Sequence, residues 1–498
     1  MQKIGSFGCS CIALAAIAAP TQAAEWTNSA SVKTGVTYTD NVCLSADNTQ
    51  DQWVGLLTPA GNISANGARA NMNLSGSVEF NTLTDSKLKD QGCSGGSNGN
   101  REQFAPRLSG SADAILIENW FYIDGGANIT QNQVSPFVSG GGDSLDRTGN
   151  TNTTYSYSVS PYISRRFKDA AEATLRYTWN DQYNSTDAVR DSSQESAQAL
   201  IGGVPGTSRY TWGLQGDYSK VNYSDSSLPA GDAVNNNASE LKSAQVNQGY
   251  QLTRAWQVNG FYGDEWNDFV STRDDIDGSY WDVGVRWTPN SRTTVDAGTG
   301  HRFYGNSPRF AIRYSHKRSA FNANYAKTLT YGRNIRTLDD SPAGNPDFPP
   351  PPGVDPGVTT LGDSPILDER FTLGYTFQGR RTDFGVSAFQ SDQTRQSGST
   401  TLGVSESTFR GITVVASRTL FQDISLNARV NWNEQEPKGQ AGSVARKSET
   451  WSGLLGLNRK LGQRMNLGIN YVYTDRSSDT ALNEYTENRI TLDLKIDL

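Results

Sequence analysis

The sequence predicts an all-β fold, a single transmembrane antiparallel up-and-down β-barrel of about 22 strands within a range of roughly 16 to 22. Three observations carry this reading. Segment after segment alternates apolar and polar residues with period two, and the charges keep to one phase. Beyond the N-terminal leader no stretch approaches the ~18 consecutive apolar residues of a membrane helix. Finally, the composition is polar yet aromatic: mean hydropathy is -0.58, with 10% aromatics, 21 Tyr, 11 Trp and 49 Gly. A barrel wall exposes only alternate residues of each strand to lipid, so low hydropathy suits it.

The closing stretch, residues 487–498, shows the pattern at its clearest. Ile490, Leu492, Leu494, Ile496 and Leu498 take one face, while Arg489, Thr491, Asp493, Lys495 and Asp497 take the other. Successive side chains of a strand point to opposite sides, so one side meets an apolar medium and the other meets water. Many repeats of this pattern without a second layer to bury them imply a closed sheet with lipid outside and water inside.

In chain order, Lys3, the mostly apolar run Ile4–Ala19, Pro20 and the small residues to Ala24 read as a secretory signal peptide over residues 1–24, cleaved after Ala23 or Ala24. Residues 25–498 form the barrel, with Ser29–Tyr38 as its first strand. No segment before that strand fits a plug, so the sequence places the chain apart from TonB-type transporters, whose barrels carry an N-terminal plug domain. Short connections near 66–68, 118–120, 167–169, 204–207, 254–256, 288–292, 317–320, 378–381, 420–423 and 457–463 alternate with long polar ones, with a tight exception at Gly305–Pro308. Short periplasmic turns and long outer loops are the regular asymmetry of such barrels. Residues 333–366 form the longest connection. Its prolines remove backbone donors and keep it out of the sheet, either standing outward or folding inward to narrow the lumen.

The polar phase names the candidate lumen-lining residues: Glu172, Arg176, Asp282, Arg286, Arg313, Arg429, Arg489, Asp493, Lys495 and Asp497. A Lys or Arg facing lipid at mid-bilayer costs about 2–4 kcal/mol, whereas a wet lumen tolerates it. Opposite charges laddering across neighbouring strands would equally brace the wall. Cys43 and Cys93 remain after processing and are a candidate disulfide; two unpaired loop thiols are the alternative.

Several classes of chemistry find no support. A net charge of -7 and a pI near 5.1, with no Lys/Arg cluster, exclude nucleic acid as a partner. The two histidines, His301 and His316, flank the Gly305–Pro308 turn, in a pairing that sets His301 opposite a residue near Ala311. They are thus too far apart to share a metal. No nucleophile elbow, zinc helix or phosphate-cradling loop occurs. The expectation is a non-enzyme without cofactor or metal.

The first strand and its exit, Gly35-Val36-Thr37-Tyr38-Thr39-Asp40-Asn41-Val42-Cys43-Leu44, resemble the opening of the PEP-CTERM-system-associated outer-membrane barrel family, within the wider group of β-barrel porins found near exopolysaccharide genes. Ala114–Ile123, Tyr157–Ile163 with Arg166-Phe167, and Ala173–Tyr177 extend the similarity over the first third. The resemblance implies an integral barrel of the outer membrane of a Gram-negative bacterium, tied to exopolysaccharide export or assembly. It carries no catalytic residues. The C-terminal stretch 487–498 also resembles the signal read by the barrel-assembly machinery, except that it ends in Leu498 where many such signals end in an aromatic.

Two functions follow as expectations. One is a porin-like conduit for polysaccharide or another hydrophilic solute. The other is a structural barrel, sealed within, that anchors matrix or export-system proteins through its loops. Outer-membrane lipid and lipopolysaccharide are the expected surroundings of both.

Overall fold

The structure, a computed structural model, describes residues 24–84, 93, 102–140, 144–145, 147–187, 189–204, 206, 208–224, 238–271, 273–331, 333, 365–396, 404–439 and 447–498. The signal peptide expected at 1–24 lies outside the described residues except for Ala24, and so does 334–364 of the Pro-rich connection.

The strands are β1 (Glu25–Thr39), β2 (Gln52–Asn66), β3 (Ala70–Leu83), β4 (Glu102–Ile117), β5 (Phe121–Gln133), β6 (Thr151–Phe167), β7 (Ala171–Asn184) and β8 (Ser192–Gly202). Next come β9 (Tyr210–Tyr223), β10 (Ala238–Gln251), β11 (Trp256–Asp268), β12 (Gly278–Asn290), β13 (Thr293–Arg302), β14 (Gly305–Asn306), β15 (Arg309–His316) and β16 (Ser319–Tyr331). The last are β17 (Pro365–Gln378), β18 (Thr382–Arg395), β19 (Val404–Thr419), β20 (Ile424–Gly439), β21 (Ser448–Leu461), β22 (Met465–Ser478) and β23 (Tyr485–Asp497). β14 has 2 residues and only continues the β13 ladder, with His301 opposite Asn306, while β13 pairs directly with β15. Without it the sheet has 22 spanning strands.

Each strand pairs antiparallel with its sequence neighbours, and β1 also pairs with β23 from Ser31↔Asp497 to Thr39↔Arg489. That last pairing removes both free edges and satisfies the backbone groups that lipid cannot. The seam is tight at Gly35, where an added Cβ would lie 2.7 Å from the Leu492 carbonyl oxygen.

β1 begins at Glu25, ahead of the expected Ser29, and the reason is visible on its outer face. Trp26, Asn28, Ala30, Val32, Thr34, Val36 and Tyr38 run along one phase without a charge. Trp26 to Tyr38 is twelve residues, roughly 40 Å along a strand and about 30 Å in height at a ~40° tilt. Large aromatics repeat at both levels of the wall. Trp120, Phe167, Tyr210, Trp256 and Trp287 are exposed near the short turns, and Trp53, Phe104, Trp266, Trp281 and Trp451 near the long connections. Between them lie exposed Leu57, Leu175, Leu214, Val283, Val430, Leu455 and Leu492. An aliphatic band between two aromatic girdles is the outer surface of a membrane barrel.

Pro365 and Ile366 belong to β17, whereas the sequence reading placed them in the preceding connection. Pro365 opens the strand opposite Tyr331, a position at which a missing donor is tolerated. His301 likewise faces Asn306 instead of a residue near Ala311, because the two-residue β14 lengthens the hairpin. The shift moves the histidines further apart.

Candidate functional site

The lumen is lined by the polar phase of every strand, and the predicted charges occupy that phase in pairs. Arg176 Nη1 meets Asp124 Oδ2 at 2.6 Å and stacks its guanidinium 4.0 Å over Tyr162. Arg286 donates to Asp296 at 2.9 Å. Asp282 accepts three hydrogen-bond approaches from Arg309, the shortest 2.7 Å. Arg489 holds Glu487 at 2.7 Å, Lys33 approaches Asp493 at 3.6 Å across the seam, and Lys495 pairs with Asp497 at 3.3 Å. Arg429 is half-buried on β20, and Glu172 and Arg313 are exposed near the short-turn rim. The structure thus draws Arg176, Asp282, Arg286, Arg489, Asp493, Lys495 and Asp497 into local cross-strand and along-strand pairs around the wall, not into one cluster. An exposed pair of this kind contributes little to stability, and its place here is to keep the wall wet and neutral.

Solvent access differs between the two ends. Lys33 and Arg286, in the short-turn half, keep 46% and 48% of their side-chain surface exposed. In the long-loop half, lumen-facing Thr37, Thr39, Asn81, Asn152, Ser391 and Asn431 are buried, with none above 2%. Most of them are packed against polar neighbours in the wall itself, Thr37 on Thr491, Thr39 on Glu487, Asn152 on Asn184, Ser391 on Asp368 and Asn431 on Ser452.

Asn81 is instead met by the connection between β5 and β6, residues 134–150, whose described residues reach into this half of the lumen. Its base is organised by Asn150, whose Nδ2 donates to the Ser135, Val138 and Gly140 carbonyls at 2.8, 3.2 and 3.0 Å, while its Oδ1 accepts from Ser135 N at 2.9 Å. One arm crosses the lumen. Phe137, 3% exposed, packs on Phe409 at 6.2 Å between ring centroids and joins Phe389 in a buried trio. Phe389 and Phe409 stand on β18 and β19, with β7–β17 between them and the connection round one side and β20–β4 round the other. Arg476 of β22 donates to the Pro136 carbonyl at 3.2 Å, and Asn483 donates to the Phe137 carbonyl at 3.1 Å. The other arm rests on β3: Asn81 donates to the Ser144 carbonyl at 2.8 Å, Arg147 donates to Asn81 Oδ1 at 2.6 Å, and the Ser144 hydroxyl donates to Glu79. Leu145 enters an apolar cluster with Val42, Val54 and Leu83, against which Cys43 packs. Cys43 is disulfide-bonded to Cys93.

Two further contacts cross the same half of the lumen. Tyr331 at the end of β16 packs with Val221 and Tyr223 of β9, and Arg333 donates to the Asn180 side chain on β7. Burial pushes the Arg333 guanidinium below its ordinary range. Arg273, between β11 and β12, approaches Gln396 beyond β18 at 3.4 Å. Described residues therefore reach across the long-loop half of the lumen at three places, while Lys33 and Arg286 in the short-turn half stay solvent-exposed.

Reasoning from sequence left residues 333–366 either standing outward or folding inward, a question that falls outside the described residues over 334–364, and it passed over 134–150. A signal was present in Phe389, Phe409, Val221 and Tyr223, large apolar residues in the polar phase of their strands, where a wet wall gives them no reason to be. Among the described residues no group of three or more His, Cys, Asp or Glu is placed to hold a metal ion.

The wall also resembles known structures. The FrpB iron transporter of Neisseria meningitidis (F5-1 variant) matches with a TM-score of 0.54 at 9% identity, over 95% of this chain and 82% of that one. The ferric enterobactin receptor PfeA of Pseudomonas aeruginosa, as a mutant in complex with enterobactin, matches with a TM-score of 0.50 at 11% identity, over 94% and 81%. The siderophore receptor PirA of Acinetobacter baumannii matches with a TM-score of 0.50 at 8% identity, over 95% and 81%. The chain is an outer-membrane-type β-barrel of 22 strands. No family model matches it, and neither does any curated protein.

This likeness corrects one expectation. The sequence reading placed the chain apart from plug-bearing TonB-type transporters, but the walls it matches are those of TonB-dependent receptors, which carry an N-terminal plug domain. Strand alternation records lipid on one face and water on the other, and it cannot distinguish a wall built around a plug from one that is not.

Proposed function

We propose that the barrel is a conduit for a hydrophilic solute, held shut at its long-loop end by residues 134–150. The observation that carries this reading is the passage of Phe137 across the lumen to Phe389 and Phe409, while Lys33 and Arg286 in the short-turn half stay solvent-exposed. A permanently filled wall would bury both ends alike. A latch made of one aromatic trio and a few hydrogen bonds can open without breaking any strand ladder. The solute is a polysaccharide being exported or another hydrophilic molecule; the family resemblance in the first third of the chain favours exopolysaccharide. The similar structures are named for iron and siderophore transport, which makes a ferric chelate the competing cargo. The outer membrane is the proposed site, with 487–498 read by the assembly machinery.

A second reading, a sealed structural barrel, draws on the contacts of Tyr331 and Arg333 with the opposite wall. Liposome swelling separates the two. Vesicles holding a variant with residues 135–149 replaced by a short Gly-Ser linker swell in neutral sugars if the conduit reading holds. Vesicles that stay as tight as protein-free ones favour the sealed barrel.

A further inference from the structure

A cavity of about 360 Å³ opens in the wall between β9, β10, β11, β12 and β15. Asn247, Asn259, Phe261, Asp282, Arg309 and Thr211 line it. Its charge is already balanced: Arg309 lies against Asp282 through Nε and Nη2, and the same Nη2 reaches Asn259 Oδ1 at 3.3 Å. The guanidinium fits flat because Gly284 and Gly298 lie beneath it, where an added Cβ would collide with Arg309. The amide oxygen of Asn247 is taken by Gln245 at 2.7 Å. What remains is a set of donors. The Nδ2 groups of Asn247 and Asn259 and Nη1 of Arg309 have no hydrogen-bond partner among the described residues, and the Thr211 hydroxyl adds a group that donates or accepts.

We infer that this cavity is a subsite for one unit of a neutral saccharide. Planar amide and guanidinium donors match the acceptor oxygens of sugar hydroxyls, and the Phe261 ring offers an apolar surface to the C–H face of a pyranose. A carboxylated sugar is disfavoured, because it would sit beside Asp282 with no uncompensated cation to meet it. Its lining comes from the polar phase of the wall, so a chain moving through the barrel passes it. The inference deepens the conduit reading and rests on it for the direction of that movement, but binding itself does not require an open pore.

The test uses the full mature chain in detergent micelles, titrated calorimetrically with neutral gluco-oligosaccharides and with oligogalacturonate of equal length. Wild-type protein is expected to bind the neutral series and to bind oligogalacturonate at least tenfold more weakly. The N247A/N259A double variant, and independently Thr211→Tyr, which fills the cavity, should weaken the neutral ligand at least tenfold while keeping the heat-modifiable mobility of a folded barrel. Absence of neutral binding, binding indifferent to both variants, or a preference for oligogalacturonate overturns the inference. If micelle binding holds but the linker variant of 135–149 passes no solute, it is the conduit reading that fails and the subsite that stands.

Discussion

Phe137 and Phe409 meet with ring centroids 6.2 Å apart, although one belongs to the connection after β5 and the other to a strand almost half the circumference away. Such a contact forms only if the connection folds inward. Truncating Phe137 to Ala removes the ring from a buried trio and should cost about 3 kcal/mol at that contact. Because the strand ladders are untouched, global melting should shift little. The measurable effect is faster proteolysis within 134–150, with the rest of the barrel resistant.

The closing seam depends on close backbone approach. Gly35→Val places a branched side chain against the Leu492 carbonyl, which leaves no room for it. We expect a large loss of the folded, heat-modifiable form on electrophoresis. Val36→Ile, one residue on and facing lipid, should leave it unchanged.

Lipid and lumen positions of the last strand should differ sharply under the same substitution. Leu492→Arg puts a cation on the apolar face and is expected to cost about 2–4 kcal/mol in folding into bilayers. Asp497→Arg places it at an exposed polar-phase position of the same strand and should cost under about 1 kcal/mol. Urea titration in vesicles reads the difference.

The Cys43–Cys93 bond spans a sequence separation of 50, worth ~4 kcal/mol in the chain-entropy account of cross-links. Cys43 packs on the cluster that receives Leu145, so its loss should loosen the β3-side arm of the closure first. Hydrogen exchange of the C43S/C93S variant is expected to speed up around Val42, Val54 and Leu145 while β10–β13 keep their protection.

Buried and exposed ion pairs of the lumen should behave differently too. Glu265 is 1% exposed and holds Arg302 at 2.5 Å, whereas Arg176 and Asp124 are each about one-third exposed. Arg302→Ala leaves a carboxylate that is 1% exposed without its guanidinium and should cost about 3 kcal/mol. Arg176→Ala should change stability by less than about 1 kcal/mol. Thermal unfolding of the two variants in one detergent compares them directly.

The strands themselves were legible in the sequence because lipid and water impose opposite demands on alternate residues. Trp281, Val283, Val285 and Trp287 against Asp282 and Arg286 needed nothing more than that rule. The turn asymmetry followed from the spacing of Gly, Pro and Asn. What could not be read was which connection enters the lumen. Residues 134–150 are as polar as the outer loops, and their destination depends on Phe389 and Phe409, more than 200 residues away in the chain. The charged pairs were likewise visible only as a phase. Their partners, such as Asp124 for Arg176 and Arg309 for Asp282, depend on register, which single strands do not disclose. The likeness of the wall to those of iron and siderophore receptors was illegible for a simpler reason, since the wall pattern is common to barrels with and without a plug.

The most direct test of the closure is single-channel conductance in planar bilayers of the refolded mature chain and of the variant with 135–149 replaced by a short linker. The account predicts a closed or rarely opening wild type and a steady, severalfold larger conductance for the variant. Equal conductance in the two, whether both open or both closed, would contradict it.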